Sequence, residues 1–438
     1  MDRIHKYHPS SHITLIIWSQ ISCLAVFMLS VFLVSCNTLG PPALDTRPVY
    51  LYNPGKTFLH PDYTVYHSGE NESTLFFRVL CRELIFNQAN PENQNRAKVR
   101  IDYKLYSSYA DQKVEMSSSS EFIIDREKAT DVFSGSVKMP IEEGKSYFLE
   151  LTLTDQLRDS KKIDFIFVDR YSQQSQQNYL VLSFPDHEIG FEKFYYSDEK
   201  FRIISNSITS GRMQVSFYKP AKILPPPPFM DEDIGAKTVR PDSVWEIDYD
   251  QQTLFQLIDR GVYQFFPSSE QVNALYLVNL GDHFPQVQTP EDMAPPLQYI
   301  TTSEEYQKII RQKDLKKAID EFWVKAGKDY SNARELIKVF YNRVLFANLY
   351  YSTDREGWKT DRGMIYLLMG PPAMVKKTET KEEWNYQSRD SRSYYKFIFT
   401  LESDPVKVYD FVLQRTEDHR NVWNTAVQTW RNGRIFSL

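Results

Sequence analysis

Within Gly357–Pro372 the chain reads GWKTDRGMIYLLMGPP, and Thr360, Asp361 and Arg362 set a hydroxyl, an acid and a cation side by side. Asp354, Arg355 and Glu356 stand just upstream. Two carboxyl groups held about 5–10 Å apart across a cleft could cleave a glycosidic bond. Asp361 would be one of that pair, with the second acid from elsewhere in the fold. The Arg362 fork could instead grip a carboxylate or phosphate, and Trp358 could offer a sugar a flat apolar face.

The same residues have a purely local use. Thr360 and Asp361 can accept backbone N–H groups two or three residues on. Gly357 and Gly363 suit tight turns on either side. Arg362 would then brace Asp361 or a buried carbonyl, and Trp358 would anchor the turn. MIYLLM is an unbroken apolar run, which reads as a strand covered on both faces and ended by Gly370-Pro371-Pro372. On this reading the polar atoms serve the fold, and no catalytic residue is assigned.

Other chemistries lack their residues. A phosphate loop needs glycine directly before Lys-Ser/Thr, and here Trp358 precedes Lys359-Thr360. A zinc protease needs histidines one helical turn apart, whereas in the body expected to be exported the histidines are His60, His67, His187, His283 and His419, all scattered. No GxSxG elbow occurs. No cofactor and no metal ligands are expected. The net charge of −5, without long single-sign runs, leaves nucleic-acid binding no electrostatic footprint. Cys81, inside FFRVLCRELIF, reads as a small buried hydrophobe.

The elements that must position this segment are legible from their periods. With 28 Tyr and 28 Phe against 15 Gly, strands should be plentiful. Val99, Ile101, Tyr103 and Leu105 alternate, as do Leu149, Leu151 and Leu153. STLFFRVLCREL, SSEFIID and KKIDFIFVD complete a first β-sandwich module of the Ig-like type over 49–172. YLVLSF, FEKFYY, FRIISN, GRMQVSFYK, VWEIDY, GVYQFF and NALYLVNL form a second over 179–285. A proline-rich loop, 222–243, interrupts it at Pro225–Pro228. It reads as an inserted loop, or as a polyproline docking segment for an aromatic-lined partner. The fold class is thus mainly β, ending in an α+β domain over 300–438.

In that last unit Thr302 and Glu305 fit a capping box. Leu315, Ala318, Ile319, Phe322, Trp323 and Ala326 follow at helical spacing, with Gly327 as the stop. A second helix runs from about Ala333 to Tyr350 and is apolar on two faces. Arg343 and Asn348 lie on it and would need partners. EEWNYQ, SYYKFIFTLE, KVYDFVLQ and GRIFSL read as strands of a small sheet.

Gly357-Trp358-Lys359-Thr360-Asp361, followed by Arg362-Gly363 and Gly370-Pro371-Pro372, resembles the GWxTD domain. Phe322-Trp323, Arg343, Ala347-Asn348 and Trp384-Asn385-Tyr386 resemble its satellite positions. The family's signature is followed by an acidic residue after its proline turn, where this chain has Ala373-Met374. The resemblance implies an exported protein of the kind found in Bacteroidetes and related bacteria, placed at the outer membrane, and brings no established reaction. Its motif residues (Gly357, Trp358, Thr360, Asp361, Arg362, Gly363, Arg343, Asn348, Trp384) are the candidate binding positions.

The start of the chain carries a basic head with Arg3 and Lys6, an apolar stretch, and then Leu33-Val34-Ser35-Cys36. This reads as a secretory signal over 1–35, and its LVSC ending resembles the bacterial lipobox; the alternative is an uncleaved transmembrane anchor from Ile13 to Val34. The resemblance implies a lipid on Cys36, so the chain would join the membrane through that anchor. A short tether, 36–48, follows. It lacks the acidic run of surface-exported lipoproteins, which favours a periplasm-facing body. The two sandwiches are expected to hold the last domain away from the membrane. The function expected is a binding or assembly module of the cell envelope with a protein partner there. The alternative is an envelope glycan or peptidoglycan hydrolase that uses Asp361.

Overall fold

Alternating apolar residues shape the first half of the chain in the computed structural model. It describes residue 52 and residues 58–437, apart from 88–94, 109–112, 128–130, 172–174, 221–223, 231–239, 269–273, 379, 388–393 and 403–409. The expected signal segment, Cys36 and the expected tether lie outside the described residues. No helix among the described residues is long and apolar enough to cross a membrane.

Strands β1 (Asp62–Gly69), β2 (Glu72–Leu80), β3 (Arg96–Tyr106), β4 (Val114–Asp125), β5 (Val132–Met139), β6 (Ser146–Asp155) and β7 (Ser160–Asp169) form two antiparallel sheets. Their orders are β1-β2-β5 and β4-β3-β6-β7. Inward residues of both, such as Leu75, Phe77, Val99, Ile101, Leu149 and Leu151, make one core. The pleat puts every second side chain on that face. Cys81 packs there too, as its sequence context predicts.

Strands β8 (Tyr179–Phe184), β9 (Lys200–Ser205), β10 (Ser210–Tyr218), β11 (Ser243–Asp250), β12 (Leu254–Gln256), β13 (Gly261–Pro267) and β14 (Leu275–Asn279) repeat the arrangement. Their sheets, β12-β9-β8 and β11-β10-β13-β14, are also antiparallel and share a core around Phe201, Ile203, Val215 and Phe265. FEKFYY, expected as a strand, makes only an isolated bridge at Phe194. Part of the proline-rich loop leans on the chain's own last unit. The Pro228 carbonyl accepts from Thr416 N at 3.0 Å, and Arg420 covers the Phe229 ring.

The last unit holds more helix than the expected pair. Helices α1 (Pro290–Met293), α2 (Ser303–Ile310), α3 (Leu315–Gly327), α4 (Tyr330–Tyr351), α5 (Asp361–Met369) and α6 (His419–Arg431) share a core with the antiparallel sheet β15-β16-β17-β18. Its strands are Met374–Lys377, Lys381–Gln387, Tyr394–Glu402 and Asp410–Leu413. The capping box at α2 forms in both directions: Thr302 Oγ1 accepts from Glu305 N, and Glu305 Oε2 accepts from Thr302 N.

Two strand expectations in this last unit are also corrected. MIYLLM is the body of helix α5 and not a strand. All of Met364–Met369 is buried, so no polar face marks a helical period, and period alone does not separate a buried strand from a buried helix. The clue was Thr360, which caps α5 at its start. GRIFSL forms no strand. The chain there follows helix α6, whose Val422, Trp423, Ala426 and Trp430 enter the core.

Candidate functional site

The GWKTDRG segment is a one-turn 3₁₀ helix, Gly357–Lys359, running into α5. Glycine is required twice because backbone meets backbone. A Cβ on Gly357 would lie 1.9 Å from the Ala347 carbonyl oxygen of α4, and one on Gly363 would lie 1.8 Å from the Gly357 carbonyl oxygen. Thr360 Oγ1 donates to Gly357 O at 2.7 Å and accepts from Gly363 N at 3.1 Å, which closes the turn and caps the helix. Asn348 reaches in from α4: its Oδ1 accepts from Trp358 N at 3.4 Å, and its Nδ2 donates to Pro285 O at 2.9 Å. Trp358 is buried and its carbonyl accepts from Tyr299 Oη at 3.1 Å.

Asp361 does not bond its own turn. Its Oδ2 accepts from Leu413 N of β18 at 2.7 Å, and Arg415 holds both oxygens, at 2.6 and 3.1 Å. Sequence reading missed Arg415 because 54 residues separate the pair. Asp361 and Arg415 are each only 7 % exposed at the side chain, so the pair is shielded from water and from a substrate. Ion pairs in such places hold because each charge finds geometry and hydrogen bonds that offset desolvation.

Arg362 braces neither Asp361 nor a carbonyl, the partners its sequence context suggests. Its Nη1 lies 3.2 Å from Glu382 Oε1, and its guanidinium packs over the Phe411 and Tyr351 rings. Glu382 is fully buried on β16. It also accepts from Tyr52 Oη at 3.0 Å and Trp384 Nε1 at 3.1 Å, with Lys377 Nζ at 3.3 Å. Burial alone would raise its pKa, but Lys377, Arg362 and the two hydrogen bonds outweigh burial and hold it below the ordinary value. Trp384 is therefore a partner of this carboxylate inside the core. Asp410 is buried nearby, and burial raises its pKa despite Arg362 and Arg355.

Arg343 closes the far end of α5. Its Nη1 donates to Leu368 O at 3.0 Å and Leu367 O at 3.3 Å, and its Nη2 donates to Phe436 O at 2.7 Å. The Leu367 and Leu368 carbonyls are ones that the helix end leaves without intrahelical partners, and a cation suits the negative end of the dipole. Burial drops the Arg343 pKa to about 10.

A cleft of ≈ 540 Å³ opens beside the 3₁₀ turn. Of the predicted positions, Trp358 and Asn348 line it, joined by Glu356 and Lys359 of the turn and by Arg260 and His283 from preceding elements. Thr360, Asp361, Arg362, Arg343 and Trp384 are not among its walls. Lys359 pairs with Glu356 at 2.7 Å, and His283 Nδ1 lies 3.1 Å from Asp292 Oδ2. The cleft offers mixed charge and the aromatic side chains Trp358 and Phe284, which suits non-covalent contact with a polar partner. Among the described residues no cluster of His, Cys, Asp or Glu could hold a metal ion.

Residues 261–432 match the family described as the GWxTD domain, a span that begins at β13 and takes in the whole helical region and the last sheet. No curated protein matches the chain.

Proposed function

Starting from a chain that carries a GWxTD domain at residues 261–432, we propose a lipid-anchored binding or assembly protein of the cell envelope, in which the GWKTDRG segment is a structural joint. The observation that carries this reading is the fate of the motif's charges. Asp361 is held by Arg415 and Leu413 N, and Arg362 by Glu382, each inside the domain. A group so enclosed positions the chain; it does not meet a substrate. The joint holds open the cleft beside Trp358, which is the surface we assign to an envelope protein partner.

The finer parts of this reading come from the sequence. The lipobox at Cys36 supplies a diacylglyceryl anchor, and more than one acyl chain makes such attachment durable. The two pairs of sheets are read as tandem Ig-like modules, and the placement as outer membrane, facing the periplasm, in a Bacteroidetes-type exported protein. Tyr52 revises the expected layout. It stands sixteen residues beyond Cys36 and packs in the core of the last unit. Sixteen extended residues reach at most about 55 Å. The anchor would therefore keep the GWxTD domain near the membrane, and the sandwiches would not hold it away.

The hydrolase reading needs Asp361 and a second carboxyl across an open cleft. Asp410 is a neighbouring acid, but both side chains are buried. The test is in-cell crosslinking of the full chain with Lys359→Glu and Arg260→Glu beside it. A stoichiometric envelope partner, lost in the cleft variants, is expected. Glycan turnover by the purified chain that disappears in Asp361→Asn, with the fold intact and no partner recovered, overturns the reading.

A further inference from the structure

A second cavity, of ≈ 580 Å³, lies where all three parts of the chain meet. Strands β1 and β7 line it from the first sheets, β8 and β14 from the second, and β15 and β18 from the last. Its size falls in the range of small-molecule sites, about 300–1,000 Å³. Its walls are strongly aromatic, including Phe148, Phe165, Phe167, Phe191, Tyr276 and Phe411. Phe167 is 43 % exposed. An aromatic hollow of this kind is unusual for surface that serves no contact.

The charges on the wall sort by whether they are already engaged. Glu192 is paired with Arg78. Asp169 accepts from Ser146 Oγ and Tyr171 N, and Lys377 faces Glu382. Lys193 differs. Among the described residues no carboxylate lies within ion-pair distance of its ammonium. Lys193 is an exposed residue of the cavity wall, and the protein packed around it lowers its pKa. Both hold for a cation standing in a partly enclosed hollow. An apolar hollow with one uncommitted cation matches an amphiphile with a negative head.

The geometry points to a binding site for a single-chain acyl carboxylate, its chain against the aromatic wall and its head at Lys193. The site is separate from the cleft beside Trp358, and its existence does not depend on the partner assigned there. The probe is a diazirine-bearing palmitate added to the full chain in lipid nanodiscs, with labelled peptides mapped by mass spectrometry. Labelling within Asp62–Gly69, Ser160–Asp169 or Leu275–Asn279, competed by excess oleate, is expected. Lys193→Glu should cut it about tenfold, the scale of losing a charge-assisted contact. Lys193→Arg should retain it, and a diazirine palmityl alcohol should respond to neither change. Labels confined to the apolar stretch near the N-terminus, or not competed by oleate, overturn the site. Cavity labelling equal for Lys193→Glu and the parent overturns the anionic head.

Discussion

Tyr52 Oη donates to Glu382 Oε1 at 3.0 Å, joining positions 330 residues apart. The same oxygen faces Arg362 of the GWKTDRG segment at 3.2 Å. The Tyr52 carbonyl in turn accepts from Tyr366 Oη of α5 at 3.1 Å. One residue near the start of the described chain is thus part of the joint that the motif builds.

Removing that hydroxyl should be felt across the last unit. Tyr52→Phe is expected to cost about 1.5–3 kcal/mol, as loss of a hydrogen bond to a charged group does. Tyr52→Ala should cost about 3–5 kcal/mol, since a buried ring goes as well. Trp323, Trp358, Trp384, Trp423 and Trp430 all lie in this unit, so tryptophan fluorescence during urea unfolding reads it directly. An unchanged midpoint for both variants would separate Tyr52 from the joint.

Asp361→Asn should destabilise the last unit by about 3–5 kcal/mol, because it strands the Arg415 guanidinium in a buried site. The Asn can still accept from Leu413 N, so the loss reports the ion pair. Combined with Arg415→Met the cost should fall well below the sum of the single changes. Additive costs in that double-mutant cycle would show that the two side chains do not act as a pair.

Gly357→Ala and Gly363→Ala should each cost about 3 kcal/mol or more. The atoms an added Cβ would strike, the Ala347 and Gly357 carbonyl oxygens, are backbone and cannot rotate away. Gly69→Ala is the comparison: its Cβ meets only Glu72 Cβ at 3.6 Å, and the change should stay within about 1 kcal/mol. Similar melting temperatures for all three variants would remove the close-approach argument.

His67 makes the first pair of sheets sensitive to pH. It is 2 % exposed, and burial lowers its pKa to about 4. Read as the tautomer with Nε2–H donating to Asp169 O, its Nδ1 accepts from Ser73 Oγ at 2.8 Å. The unfolded chain takes up the proton near 6.5 and the folded chain only near 4. Stability should therefore be full above about pH 6.5 and fall by up to about 3 kcal/mol as pH drops to 4. His67→Gln should flatten that slope, as followed by circular dichroism in urea at stepped pH. A slope identical to the parent's would place the proton uptake elsewhere.

Local features were open to a reader of the chain alone. The Thr302–Glu305 box, the alternation of Leu149, Leu151 and Leu153, and the cap formed by Thr360 each use residues within a few positions of one another. Their geometry follows from helix and strand periods. The helix at Asp361–Met369 was hidden because its apolar run is covered on every side. The helix at His419–Arg431 was not read, although Val422, Trp423, Ala426 and Trp430 fall at helical spacing.

The sequence by itself determined the β-rich first half, the main helices of the last unit and the identity of the motif segment. Only the tertiary structure decided what Asp361 and Arg362 do. Their partners, Arg415 and Glu382, are brought in by β18 and β16, and Tyr52 arrives from the other end of the chain. Periodicity is a property of neighbours along the chain. Which buried charge meets which depends on how the sheet and helices stack, and no short-range pattern encodes that.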